Sequence, residues 1–104
     1  MRVISRKIFN QAMSLYPNDA PAVDKTYKAL RSGSFATPQG LRTVFPSLDN
    51  FRYIDKWWVI DIGGNNLRLI AYIDFDKQWL FAKHLVTHGE YDKLCRKYAQ
   101  ERRS

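Results

Sequence analysis

The chain has 104 residues, 45% of them apolar, and a formal net charge of +7. That is enough for one folded domain spanning residues 1–104 and too apolar for disorder, and the charge favours a polyanionic partner or an acidic protein segment over an acidic surface. A single cysteine, Cys95, excludes an internal disulfide and a thiolate metal cluster. No run of about 18 apolar residues offers a membrane span, and no apolar run follows the N-terminal basic residues as a signal would require. The expectation is a cytoplasmic protein with no membrane partner.

Arg2-Val3-Ile4 reads as a short strand, after which Ser5 is placed to cap a helix running to Tyr16. Ile8, Phe9, Ala12, Met13 and Tyr16 share one helical face, and Pro17 stops the run. Asn18-Asp19 with Pro21 restarts a helix whose Val23, Tyr27 and Leu30 recur at helical spacing, and Gly33 closes it. The two form a helical hairpin. Ser34 to Asn50 reads as loop, broken by Pro38, Gly40 and Pro46, with a short ordered piece at Leu41 to Phe45.

Strands follow at Phe51 to Tyr53, Trp57 to Ile62, Leu67 to Phe75 and Trp79 to Thr87. Gly63-Gly64-Asn65-Asn66 and the Asp76-Lys77 region are the turns between them. Tyr91, Leu94, Cys95 and Tyr98 mark a terminal helix, followed by a loose Arg102-Arg103-Ser104 tail. The class is α+β, with helices covering one face of a small, mainly antiparallel sheet.

Even-length turns fix which side chains share a face. They place Ile70 opposite Lys83 and Arg68 opposite Leu85, so that Arg68, Ile70, Tyr72, Trp79, Phe81, Lys83 and Leu85 line one face with Trp57, Val59 and Asp61. Leu67, Leu69, Ala71, Ile73, Leu80, Ala82, His84 and Val86 line the other, with Trp58, Ile60 and Ile62, as a floor under the helices. The first face mixes cations, rings and one acid, which suits single-stranded RNA: bases stack on rings while Arg and Lys hold phosphates. Each of these residues also has a plainer reading. Arg68 can pair with Asp61, Lys83 can be a solvated strand lysine, and Trp57, Trp79 and Phe81 can be covered by a partner or by the terminal helix. His84 reads as a core histidine.

At the last strand-to-helix corner, Thr87-His88-Gly89-Glu90 fits a capping box, with Glu90 returning to the Thr87 amide. His88 and Tyr91 are then aimed over the sheet end. With His84 as the one other histidine and no Cys-His or His-x-x-x-His spacing, a zinc site has no ligand set, and no cofactor is expected.

Phe45-Pro46-Ser47-Leu48-Asp49, then Ile62-Gly63-Gly64-Asn65-Asn66-Leu67-Arg68-Leu69-Ile70-Ala71, Phe81-Ala82-Lys83-His84 and Thr87-His88-Gly89-Glu90-Tyr91-Asp92-Lys93 resemble the HigB toxins of bacterial toxin–antitoxin systems. The resemblance implies the RelE-like ribonuclease fold and a ribosome-dependent mRNA endonuclease that inhibits translation, contacts ribosomal RNA and is held inactive by a HigA-like helix-turn-helix antitoxin. That antitoxin would carry the complex to operator DNA. It also implies Arg68, Lys83, His88 and Tyr91 as the catalytic set; cleavage through the substrate's own 2′-hydroxyl also needs a proton acceptor, for which Asp61 and Asp92 are second-rank candidates. Trp57, Lys56, Asn65, Trp79, Phe81 and Lys93 would contact RNA. Asp61 departs from the pattern, where asparagine is expected, and leaves Arg68 with an acid beside it. A non-catalytic RNA-binding module and a protein-interaction domain are the competing classes.

Overall fold

The computed structural model describes residues 1–103, with side chains to Glu101. The order is β1 (Arg2–Ile4), α1 (Arg6–Leu15), a 3-10 turn at Pro17–Asp19, α2 (Ala20–Ser32), α3 (Pro38–Val44) and β2 (Asp49–Asn50). Then come β3 (Trp57–Ile62), β4 (Leu67–Asp74), β5 (Trp79–Thr87) and α4 (His88–Arg103). The five strands form one sheet in the order β1-β5-β4-β3-β2, parallel at β1–β5 and antiparallel elsewhere. This is the expected α+β class, with a mixed sheet. Of the tail expected at Arg102-Arg103-Ser104, helical backbone continues through Arg103 and the rest lies outside the described residues.

The apolar faces of α1 and α2 create the main core. Phe9, Val23 and Leu30 are fully buried against Ile60, Leu69 and Leu80 of the sheet, and the Phe9 and Tyr27 rings meet edge-on at 5.2 Å. Each such side chain contributes about 1.5–3 kcal/mol by leaving water.

Neither expected cap on these helices forms. Ser5 has a left-handed backbone, φ 74°, and makes no side-chain cap, because the reversal from β1 into α1 sets its geometry. Asp19 likewise caps nothing; its Oδ1 accepts from Asn66 Nδ2 at 3.1 Å and ties the start of α2 to the β3–β4 turn.

The expected loop between Ser34 and Asn50 contains α3. Thr37 caps it, its Oγ1 accepting from the Gly40 amide at 3.1 Å. Pro38 occupies the first turn, where a missing N–H costs nothing, so here it starts a helix and does not break one. The strand expected at Phe51–Tyr53 is instead the two residues Asp49–Asn50, opposite Val59 and Trp58. Phe51 leaves the ladder, its amide closing a loop onto the Trp57 carbonyl at 2.8 Å.

The β3–β4 turn keeps the expected parity. Gly63 and Gly64 take φ 65° and 72°, and Asp61 stands opposite Arg68. The β4–β5 register also holds from Asp74–Trp79 through Ala71–Ala82, and then slips. Lys83 is an extra residue, Ile70 stands opposite His84, and Arg68 faces Val86 in place of Leu85. Such a bulge inverts every side chain beyond it. Leu85 therefore joins the main core, while His84 turns to the face that carries Arg68.

α4 lies across that face, as the plainer reading of Trp57 has it. Phe51, Val59 and Ile70 are buried beneath Tyr91, Leu94, Cys95 and Tyr98. The helix has an apolar stripe and the sheet has two aliphatic side chains, and each needs the other. Helices thus cover both faces of the sheet.

Candidate active site

The hairpin turn and α4 converge on Arg68. Its Nε lies 3.4 Å from Asp61 Oδ1, but that atom is buried with no hydrogen-bond partner, so the contact is an ion pair without a formed hydrogen bond. Its Nη2 donates to Asn65 Oδ1 at 3.1 Å. The guanidinium carbon sits 4.5 Å from the centroid of the Tyr91 ring, a cation–π distance. Burial above all, then a hydrogen bond with Cys95, pushes the Tyr91 phenol up to about 12, with Arg68 opposing. Tyr91 is therefore protonated at neutral pH and can donate a proton or hydrogen bond, but cannot serve as a base.

These groups open into a cleft of about 180 Å³ lined by Ser47, Asp49, Asn50, Asp61, Arg68 and Tyr91. A larger hollow of about 490 Å³ lies within the Asn50–Trp57 loop, but it lacks the Arg68 cluster, and the smaller cleft is the one with paired chemistry.

The Thr87 corner forms the expected capping box. Glu90 Oε1 accepts from the Thr87 amide at 3.2 Å and its hydroxyl at 3.0 Å, and the Glu90 amide returns a bond to Thr87 Oγ1 at 3.3 Å. The Tyr16 hydroxyl also donates to Glu90 Oε1, at 3.1 Å. Together these hold the Glu90 carboxyl below its usual range, the Thr87 amide contributing most. His88 opens α4, with Nε2 3.9 Å from Asp92 Oδ2, both side chains about half exposed.

The family described as HigB_toxin, RelE-like toxic component of a toxin-antitoxin system, matches residues 19–94. The chain belongs to this HigB family. It is 48% identical over 102 residues to the mRNA interferase HigB of Escherichia coli O6:H1, covering 98% of this chain and 99% of that protein. The mRNA interferase toxin HigB of Escherichia coli K12 and the mRNA interferase HigB of Shigella flexneri are each 38% identical over 92 residues, covering 88% of both chains. The mixed sheet with two N-terminal helices and a C-terminal helix is the RelE-like architecture. Membership makes the chain the toxic component of a toxin–antitoxin pair, with an antitoxin as partner.

Within this HigB-family fold, Arg68, Asp61, Asn65 and Tyr91 stand together, and His88 and Asp92 follow at the adjoining start of α4. Lys83 does not join them. Its ammonium lies 5.7 Å from the Phe81 ring centroid and 5.9 Å from that of Trp57, and at about 3.3 Å per residue the strand carries its backbone about 10 Å from Val86, the residue facing Arg68. Trp57 is packed against Phe51 and Tyr98, whereas Trp79 is 37% exposed, with the Lys77 ammonium 5.1 Å from its centroid. Lys56 and Lys93 are exposed.

Two features of this region escaped the sequence reading. Ser47, Asp49 and Asn50 line the cleft, and Ser47 Oγ accepts from the Asp61 amide at 2.9 Å; they lie in the stretch expected as loop, where Ser47 and Asp49 enter the family resemblance without a role at the site. His84, expected in the core, bonds Tyr98 Oη at 2.9 Å through Nε2. Burial, then Lys97 and Lys83, lowers its pKa. Among the described residues no three His, Cys, Asp or Glu side chains are grouped to hold a metal ion, and no helix is long and apolar enough to cross a membrane.

Proposed function

We propose that the chain is a single-domain, ribosome-dependent mRNA endoribonuclease acting in the cytoplasm, whose antitoxin blocks it and carries the complex to operator DNA. One observation carries this reading. Arg68 presents a guanidinium held by Asp61, Asn65 and the Tyr91 ring at a polar cleft, with a buried Nε that no hydrogen bond satisfies. Asp61 holds the Nε side from within, and the cation lines the open cleft, where a phosphate oxygen can accept charge-assisted hydrogen bonds from it.

In this reading the RNA 2′-hydroxyl attacks the adjacent phosphorus, a phosphorane forms, and the 5′-oxygen of the next nucleotide leaves with a proton. The reaction uses side chains and no metal. Arg68 stabilises charge on the phosphorane. His88 moves the proton, assisted by Asp92, and Tyr91 orients the phosphate as a hydrogen-bond donor. Asp61 is a second-rank base because its partner is the guanidinium itself. Lys83, displaced by the bulge, holds a phosphate further along the strand, near Trp79 and Phe81, which stack bases. Lys56, Asn65 and Lys93 flank this track, Trp57 supports it from beneath α4, and the basic face of α4 meets ribosomal RNA.

The test is brief induction followed by mapping of mRNA 5′ ends. New ends within translated regions, lost on Arg68→Ala, are expected. Intact transcripts beside a folded protein would overturn cleavage and leave RNA binding without chemistry.

A further inference from the structure

Pairing on the outer side of β5 stops short. β1 covers only Trp79, Leu80 and Phe81, yet β5 continues to Thr87. From Lys83 to Thr87 the outer edge has no neighbouring strand among the described residues. Beside that edge runs α1. It starts one residue after β1, and Tyr16, just past its end, bonds Glu90 just past the end of β5. Between helix and strand lies a slot of about 190 Å³, walled by Ile8, Ala12 and Leu15 on one side and Leu85 and Val86 on the other. Leu15 is 70% exposed, an apolar side chain standing in water at the mouth. Lys83 lines the slot and Lys7 the adjoining hollow on the outer face of α1, and neither is lined by an acid.

We propose that this slot receives an extended, acidic segment of the antitoxin, added to β5 as a further strand. An unpaired edge offers main-chain donors and acceptors at the spacing an extended polypeptide needs, and a helix alongside supplies a second, apolar wall for its side chains. RNA has no row of amides to match that edge and no apolar side chains for Leu15 and Val86. Lys7 beside the slot and the net charge of +7, with no acid in either lining, select acidic residues on the segment. Its far end would lie at the Thr87–Glu90 corner, beside His88, so occupancy would place protein at the margin of the candidate active site. The partner follows from family membership, and the inference does not depend on the cleavage mechanism.

Two measurements test it, using the antitoxin co-expressed from the toxin's own operon. Leu15→Asp changes an exposed side chain and leaves the core intact. It is expected to remain toxic alone, to escape neutralisation by the antitoxin and to bind it about tenfold or more weakly. Wild-type binding and neutralisation of this variant would overturn the proposal. Independently, amide hydrogen exchange at Lys83 to Thr87 in the wild-type toxin should slow when the antitoxin binds. Unchanged exchange there, or protection by single-stranded RNA and not by the antitoxin, would overturn it even if the variant lost toxicity.

Discussion

The guanidinium of Arg68 lies on the ring of Tyr91, 4.5 Å from its centroid, so the last helix directly contacts the arginine at the head of the hairpin. A positive group fixed from below, beside and across the strand reorganises little when charge develops in front of it. Arg68→Ala should therefore reduce cleavage by about 100-fold, on the order of 3 kcal/mol of transition-state stabilisation, without lowering the midpoint of thermal unfolding by more than a few degrees. Arg68→Lys should recover part of the rate, since it keeps the charge and loses the planar fork. Wild-type cleavage by a folded Arg68→Ala protein would remove the arginine from the mechanism.

Tyr91→Phe separates the ring from its hydroxyl. The ring alone should preserve the stacking on Arg68, so stability should hardly change, while loss of the donor should slow single-turnover cleavage by about tenfold. Because the phenol is pushed up to about 12, it stays protonated below that value. The variant's pH–rate profile should keep the wild-type shape and fall only in height. A lost alkaline limb would show that Tyr91 titrates in the reaction.

His88→Ala tests the proton-transfer assignment. The imidazole's recorded neighbour is Asp92, at 3.9 Å, and it lies one residue beyond Thr87, which pairs with Leu67 next to Arg68. Single-turnover rates across pH should lose one limb in this variant and fall by about 100-fold at the optimum. A profile superimposable on wild type would transfer the role to Asp61 or Asp92.

How far the sequence could be read depended on whether neighbours in the chain set the outcome. Glycine turn chemistry placed Asp61 opposite Arg68 because an even-length turn allows no other parity, and the Thr87–Glu90 cap was legible because its partners are three residues apart. The bulge at Lys83 was not legible, since nothing local distinguishes a paired lysine from an extra one. It moved His84 out of the core and Lys83 away from Arg68. The coverage of Arg68's face by α4 and the cleft lining from Ser47 to Asn50 also rest on long-range packing. Pro38 and Gly40 misled for a different reason: proline in a first turn and proline in a loop look alike until Thr37 is seen to cap.

The half-buried His84, flanked by Lys97 and Lys83, gives stability a pH dependence of definite sign. The folded protein lowers the His84 pKa, burial first and then Lys97 and Lys83, so the unfolded chain takes up the proton more readily. The contribution is complete above the ordinary histidine value of about 6.5 and declines as pH falls from there to the lowered folded value. His84→Gln should flatten unfolding free energy across that acidic window, measured by urea denaturation at a series of pH values. An unchanged slope would show that protonation of His84 is not coupled to folding.

Gly63 and Gly64 allow strain and crowding to be separated within one turn. Both have left-handed backbones, φ 65° and 72°, but an added Cβ on Gly64 meets nothing within 4 Å, whereas on Gly63 it would come 2.5 Å from Asp19 Oδ1. Gly64→Ala should cost only the backbone term, about 1–2 kcal/mol. Gly63→Ala carries the same term and must also displace the carboxylate that accepts from Asn66 Nδ2, raising the total to about 2–4 kcal/mol in urea unfolding. The next residues of that turn include Asn65, which holds Arg68 Nη2, so Gly63→Ala should also slow cleavage under conditions where it remains folded. Equal losses of stability in the two variants would mean that Asp19 yields freely and that its bond to Asn66 does not fix the turn.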